Sequence, residues 1–177
     1  RDSGSLRMLN LVQILQTMDY KVSFWPDQLT YDPRYTKTLQ DLGIEAYYGE
    51  VSFEDFIKAY GNEIDAVLMS RPVTAKKYLP LVKKYSKAKT IFDTVDLHYV
   101  REQRRLDLEV QRWKNLEFFL AEEADTTLVV SPYEKKMLAD ESFSDKVAVV
   151  SNIHSLEPCL KGFEERKGLM FIGNFAH

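Results

Sequence analysis

The sequence predicts an α/β fold: a doubly wound parallel sheet with helices on both faces. Three observations predict it. Short continuous apolar runs alternate with helical repeats along the chain, which is how doubly covered strands and their crossover helices read. Apolar residues make up 45% and charged residues 29% of 177, enough for one real core in a single domain. A polar, glycine-bearing turn, Asp2-Ser3-Gly4-Ser5, opens the first helix, as it normally does after the first strand of such a sheet. Nothing apolar precedes that turn. The expectation is therefore a longer parent whose central first strand is left out, and a sheet with exposed edges that invite dimerisation.

The elements follow in order. Leu6, Leu9, Val12 and Leu15 recur at helical spacing, and Ser3 or Ser5 can cap that helix. Lys21 to Trp25 reads as a strand stopped by Pro26. Asp32 to Leu42 reads as a helix, with Pro33 in its first turn and Gly43 as its stop. Ile44 to Tyr48 is a short strand, and Ser52 caps a helix that runs to about Tyr60. Ala66 to Met69 is a buried strand, followed by a helix from Thr74 to Tyr85. Leu106 to Ala124 is a long amphipathic helix carrying Trp113, Leu116, Phe119 and Leu120. Thr126 to Val130 is a strand, and Ser131-Pro132 opens the helix Tyr133 to Ala139 as N-cap and first helical residue. Lys146 to Val150 is a strand that ends at Ser151-Asn152-Ile153-His154. Residues 1–155 thus form one domain and 156–167 a linker. Residues 168–177 read as the first strand and glycine turn of a second domain.

The stretch Thr90 to Arg101 organises the rest. It starts as a buried strand, Ile91-Phe92, and at once presents Asp93, Asp96 and His98, with Arg101, Arg104 and Arg105 behind them. Ligands of open α/β sheets bind just past the carboxyl ends of the strands. A histidine, two carboxylates and a guanidinium therefore fall where a ligand is expected. The net charge of −3 gives no reason to expect nucleic acid as a partner. The single Cys159 excludes an internal disulfide, and the scattered Asp, Glu and His lack metal-ligand spacing, so no metal is expected. No apolar run reaches the roughly 20 residues of a membrane-spanning helix.

These residues resemble glycosyltransferases of the GT-B architecture, in particular the family 4 type (glycosyl transferase group 1). Phe92-Asp93-Thr94-Val95-Asp96-Leu97-His98-Tyr99-Val100-Arg101-Glu102 is the most specific match, similar to a segment in bacterial members linked to surface-polysaccharide synthesis. Asp2-Ser3-Gly4-Ser5 with Arg7 looks like the loop after the first strand, and Leu128 to Glu134 like the strand-serine-helix unit late in the first domain. Val149 to His154 sits where the family has a Pro-Asn-Gly turn, and Phe171 to His177 looks like the start of the donor-binding half. Asp19 stands where the family often has glycine.

The resemblance implies a Rossmann-like, N-terminal, acceptor-side half. The full-length parent is then a hexosyl-transferring enzyme, and this half alone is inactive. The implied partners are a nucleotide sugar, as substrate rather than cofactor, and a glycan or lipid-linked acceptor. The implied location is cytoplasmic, with peripheral contact of the parent at the inner face of a membrane. His98 and Asp96 are the implied catalytic pair, with Asp96 orienting the histidine or meeting the acceptor. Gly4, Ser5, Arg101, Ser131 and Asn152 are the implied substrate contacts, and Gly173 and Asn174 lie on the donor-phosphate side. Read as ordinary residues, Asp93 caps the next segment, Ser131 caps a helix, the arginines form a solvated face, and Asn152 and His154 are turn residues. The rival functions are a GT-B nucleotide-sugar epimerase and a non-catalytic doubly wound domain that binds a ligand or partner.

Overall fold

The computed structural model describes residues 3–102, 107–139, 144–154, 158, 162–165 and 167–168. In chain order these form α1 (Ser3–Thr17), β1 (Ser23–Phe24), α2 (Tyr35–Asp41), β2 (Glu45–Ala46), α3 (Phe53–Tyr60), β3 (Ala66–Ser70), α4 (Pro72–Tyr85), β4 (Lys89–Asp93), α5 (His98–Glu102), α6 (Asp107–Glu123), β5 (Thr126–Val129), α7 (Pro132–Ala139) and β6 (Val147–Val149). All six strands are parallel to their neighbours. They fall into two sheets, β1-β2 and β3-β4-β5-β6. This is the doubly wound, Rossmann-like α/β arrangement.

Local chemistry sets most element boundaries. The Ser52 hydroxyl accepts the Asp55 N–H at 3.3 Å and starts α3. Pro72 opens α4, where its missing N–H costs nothing. The helix expected from Asp32 begins only at Tyr35, because the Asp32 carboxylate takes the N–H groups of Arg34 and Tyr35 at 2.7 and 3.2 Å and holds a turn. The polar turn expected at Ser3-Gly4-Ser5 is already helical. Asp19 adopts φ 63° after α1, a left-handed turn that glycine would take more easily.

The strands expected at Lys21 to Trp25 and Ile44 to Tyr48 shorten to two residues each. Among the described residues each has a single neighbour and so a single ladder to hold it. In β4, by contrast, Thr90, Phe92 and Asp93 are buried and both neighbours are in place.

Strand alternation assigns the two faces. Phe92 packs with Met69, Tyr78, Leu79 and Leu120 against α4 and α6. The next residue, Asp93, points the other way and meets Arg7 of α1. Further along the α6–α7 side, Leu97, Tyr99, Val129, Leu138 and Val147 form a second cluster. Val12, Leu39 and Ile44 join α1 to α2 and the β1-β2 pair. Phe119, expected on the apolar face of α6, is instead 54% exposed, and that face carries a fully buried Glu117.

The expected last strand, Gly168 to Ile172, lies outside the described residues after Gly168, as do Gly173, Asn174, Cys159, Arg104 and Arg105. Among the described residues no helix is long and apolar enough to cross a membrane.

Candidate functional site

The loop after β4 is held by three layers of hydrogen bonds. The N–H and hydroxyl of the buried Thr94 both donate to the Leu128 carbonyl at 3.0 Å, continuing the β4-β5 ladder past its last paired residue. Val95 then takes φ 64°, a left-handed conformation that is uncommon for a β-branched residue. Such strain costs on the order of 1–3 kcal/mol and persists only where surrounding contacts hold it.

Those contacts come from two buried carboxylates. Glu117 accepts the His98 N–H at 2.6 Å and the Tyr99 N–H at 3.0 Å. Glu134 accepts the Leu97 N–H at 3.1 Å and the Val130 N–H at 2.9 Å. Together they satisfy the otherwise orphaned N–H groups at the start of α5 and place negative charge at its positive end. The stretch Thr90 to Arg101, expected to run from strand into polar loop, turns helical at His98, and these two acids hold that turn.

His98 is thereby aimed as well as anchored. Its Nδ1 lies 3.2 Å from the Asp96 carbonyl and 3.3 Å from Glu117 Oε1. Both partners are acceptors, so the proton of the neutral ring belongs on Nδ1. Among the described residues no hydrogen bond engages Nε2. The ring stacks on Trp113 at a centroid distance of 4.8 Å, and the side chain is 12% exposed. Asp96 was expected to orient the histidine or to meet the acceptor; its carboxylate is 3.9 Å from His98 Nδ1. That carboxylate instead pairs with Arg101 at 2.9 Å, and Glu117 is the nearer orienting group.

A second buried polar cluster ties α1 to the same sheet edge. Arg7 donates to Asp93 Oδ2 at 2.7 Å and to the Val150 carbonyl at 3.0 Å, and the Ser70 hydroxyl donates to the same Asp93 oxygen at 3.0 Å. Asp93 is therefore the buried partner of a cation, where its ordinary reading was a cap of the next segment. Asn10 adds a bond to the Ile153 carbonyl at 2.7 Å.

Gly4 and Ser5 sit in the first turn of α1, just ahead of Arg7. Ser131 follows β5 and accepts the Glu134 N–H at 3.2 Å, so among the described residues it reaches the histidine loop through Glu134. Asn152 is exposed in the segment after β6. Asp96 thus touches both His98 and Arg101, Ser131 is one residue removed, and Gly4, Ser5 and Asn152 occupy the same carboxyl edge of the sheet.

Sequence reasoning missed Glu117, Glu134 as a bridge, and the Arg7–Asp93 pair. Two signals were present. Glu117 interrupts the apolar stripe of α6 between Trp113 and Leu120, and Ser131 with Glu134 has the spacing of a capping box. Among the described residues no group of three or more His, Cys, Asp or Glu is placed to hold a metal ion. No protein-family model matches the chain, and no curated protein matches it.

Proposed function

We propose that the chain is the acceptor-side half of a GT-B glycosyltransferase, which moves a sugar from a nucleotide-activated donor to an acceptor hydroxyl. The observation that carries the reading is the state of His98. Its Nδ1 faces two acceptors, it is stacked on Trp113, and among the described residues no hydrogen bond engages its Nε2, at the carboxyl edge of a parallel sheet. An imidazole held that way can accept a proton or hydrogen bond from a hydroxyl without reorganising. Glu117 orients it, and Arg101, half-exposed beside Asp96, offers a cation to an anionic acceptor such as a lipid-linked phosphate. The resemblance of residues 92–102 to the family supports the same assignment.

A polypeptide extended at both ends, titrated with nucleotide sugars beside the 177-residue chain, tests this. Binding and turnover are expected only in the extended protein. There His98→Ala should lower kcat by roughly 10²-fold or more and leave donor affinity unchanged. An extended protein that binds no nucleotide sugar would sink the reading.

One observation favours a second reading, a non-catalytic binding domain. The Asp96–Arg101 pair is self-compensated, as in an ordinary structural loop. Under that reading His98→Ala leaves any activity of the extended protein intact.

A further inference from the structure

A second concave site lies at the carboxyl ends of β1 and β2. Trp25 follows β1 and Tyr47 follows β2. Ser52 then caps α3, where Phe56 and Tyr60 are four residues apart and so share one face of the helix. Trp25, Tyr47, Ser52, Asp55, Phe56 and Tyr60 line a pocket of about 340 Å³ that opens to solvent. Small-ligand sites occupy roughly 300–1,000 Å³, so the volume suits a small molecule. The rings form a continuous wall. Their centroids lie 4.9 Å apart for Trp25 and Tyr47, 5.0 Å for Tyr47 and Phe56, 5.3 Å for Trp25 and Phe56, and 5.4 Å for Phe56 and Tyr60. The wall rests on the core, since Trp25 packs against the cluster of Met69 and Phe92, and Ile57 of α3 is fully buried. Such packing orders the rings before a ligand arrives.

Charge at the wall is of one sign. Asp55 is exposed, and among the described residues no hydrogen bond or ion pair takes up its carboxylate. Lys58, three residues on, is drawn instead to Glu54 at 2.8 Å and over the Tyr85 ring at 5.0 Å. Burial, and after it the Glu45 carboxylate, push the Tyr47 phenol above its ordinary value, so a second acid stands beside the wall. Other rings of this protein carry a cation. Lys77 lies 4.8 Å from the Tyr78 centroid, Lys84 4.8 Å from that of Tyr85, and Lys114 5.1 Å from that of Phe118. Among the described residues no lysine or arginine lies over the rings of Trp25, Tyr47, Phe56 or Tyr60.

An aromatic wall beside an unengaged carboxylate is complementary to a cation, which the rings attract through their quadrupoles and the carboxylate through its charge. A primary ammonium is strongly hydrated, and an open pocket gives back little of that hydration. A quaternary ammonium has no N–H to satisfy and presents methyl groups to the rings. A sugar hydroxyl would seek the Trp25 indole N–H, but among the described residues that group is buried without a partner and does not open onto the pocket. We propose that this pocket binds a small quaternary ammonium compound, with its methyl groups against Trp25, Tyr47, Phe56 and Tyr60 and its charge balanced by Asp55. The site is built without His98, Glu117 or Arg101, and so is independent of the transferase reading.

The test follows nuclear magnetic resonance shifts of the full chain as choline is added. Two controls run beside it: the neutral analogue in which carbon replaces the charged nitrogen, and glucose. Saturable shifts with choline are expected at the Trp25 indole N–H and at the Asp55 and Tyr60 amides, with Kd in the roughly millimolar range. The neutral analogue keeps the shape but loses the cation–π attraction and the charge pairing, and should bind about tenfold more weakly. Asp55→Asn should weaken choline about fivefold and leave the neutral analogue unchanged. Tyr60→Leu should weaken choline about threefold. Both side chains are exposed, so both variants should melt like the parent. Equal affinity for choline and its neutral analogue overturns the proposal, as does choline binding that neither variant weakens. The absence of saturable choline shifts at the pocket also overturns it, and if glucose produces them instead the wall belongs to a sugar.

Discussion

The β3–β6 sheet and the β1-β2 pair hold their strands by different means. In the larger sheet β4 and β5 are laddered on both sides, and hydrogen bonds continue past the strand ends through Thr94, Arg7, Glu117 and Glu134. The smaller pair has two residues per strand. It is covered by packing: Val12, Leu39 and Ile44 on one side, and the rings of Trp25, Tyr47 and Phe56, with centroids 4.9 to 5.3 Å apart, on the other. Ladders with buried polar ties fix register and aim particular atoms, as at His98. Apolar and aromatic packing covers surface but tolerates slippage. The candidate site lies where the first mechanism operates.

The largest expected effect comes from breaking the tie that α1 makes between the two regions. Arg7→Ala leaves Asp93 buried without its cation and should cost about 3–5 kcal/mol in denaturant unfolding. Replacing both, Arg7→Met with Asp93→Leu, should recover most of that loss, because no uncompensated charge remains. A loss below about 1 kcal/mol for the single change would mean that the pair does not couple the regions.

A smaller and more local loss is expected at the histidine loop. Glu117→Ala removes the acceptor of two N–H groups and should cost about 2–3 kcal/mol. Exchange at the His98 and Tyr99 amides should accelerate, and the Trp113 fluorescence should change as its stacked partner loosens, with the Phe24 and Tyr47 amides unaltered. If the β1-β2 amides loosen equally, the two regions are not held independently.

The smallest effect is at the amino end of the large sheet. Asp125 Oδ2 accepts the Thr90 N–H and hydroxyl, each at 2.8 Å. These bonds, the backbone one foremost, hold its carboxyl below the ordinary 3.8. A depressed folded-state value means that the carboxylate contributes stability above the unfolded value and loses it as pH falls through the folded one. Asp125→Asn should therefore cost about 1 kcal/mol near neutrality. That difference from the parent should close as the pH drops below about 4 in urea titrations. A gap that persists in acid would assign the effect to packing instead.

The alternation of strand and helix, the caps at Ser52 and Ser131, the proline start at Pro132, and the parallel sheet were all legible because each rests on neighbouring residues or on a short period; the start of α4 at Pro72, two residues ahead of the expected Thr74, was not read. The position of His98 and Asp96 past a buried strand was legible for the same reason. Strand length was not. β1 and β2 have propensity for five residues and form two, since a strand extends only as far as a neighbour pairs with it.

The sequence by itself determined the elements and which end of the sheet carries the ionisable loop, because periodicity, capping and turn chemistry act over a few residues. Only the tertiary structure decided which acid orients His98, which cation meets Asp93 and where the sheet divides. Arg7 and Asp93 are 86 residues apart, and Glu117 is 19 from His98. No local rule ranks a buried carboxylate's partners before the fold brings them within hydrogen-bond reach and removes the water that would otherwise satisfy them.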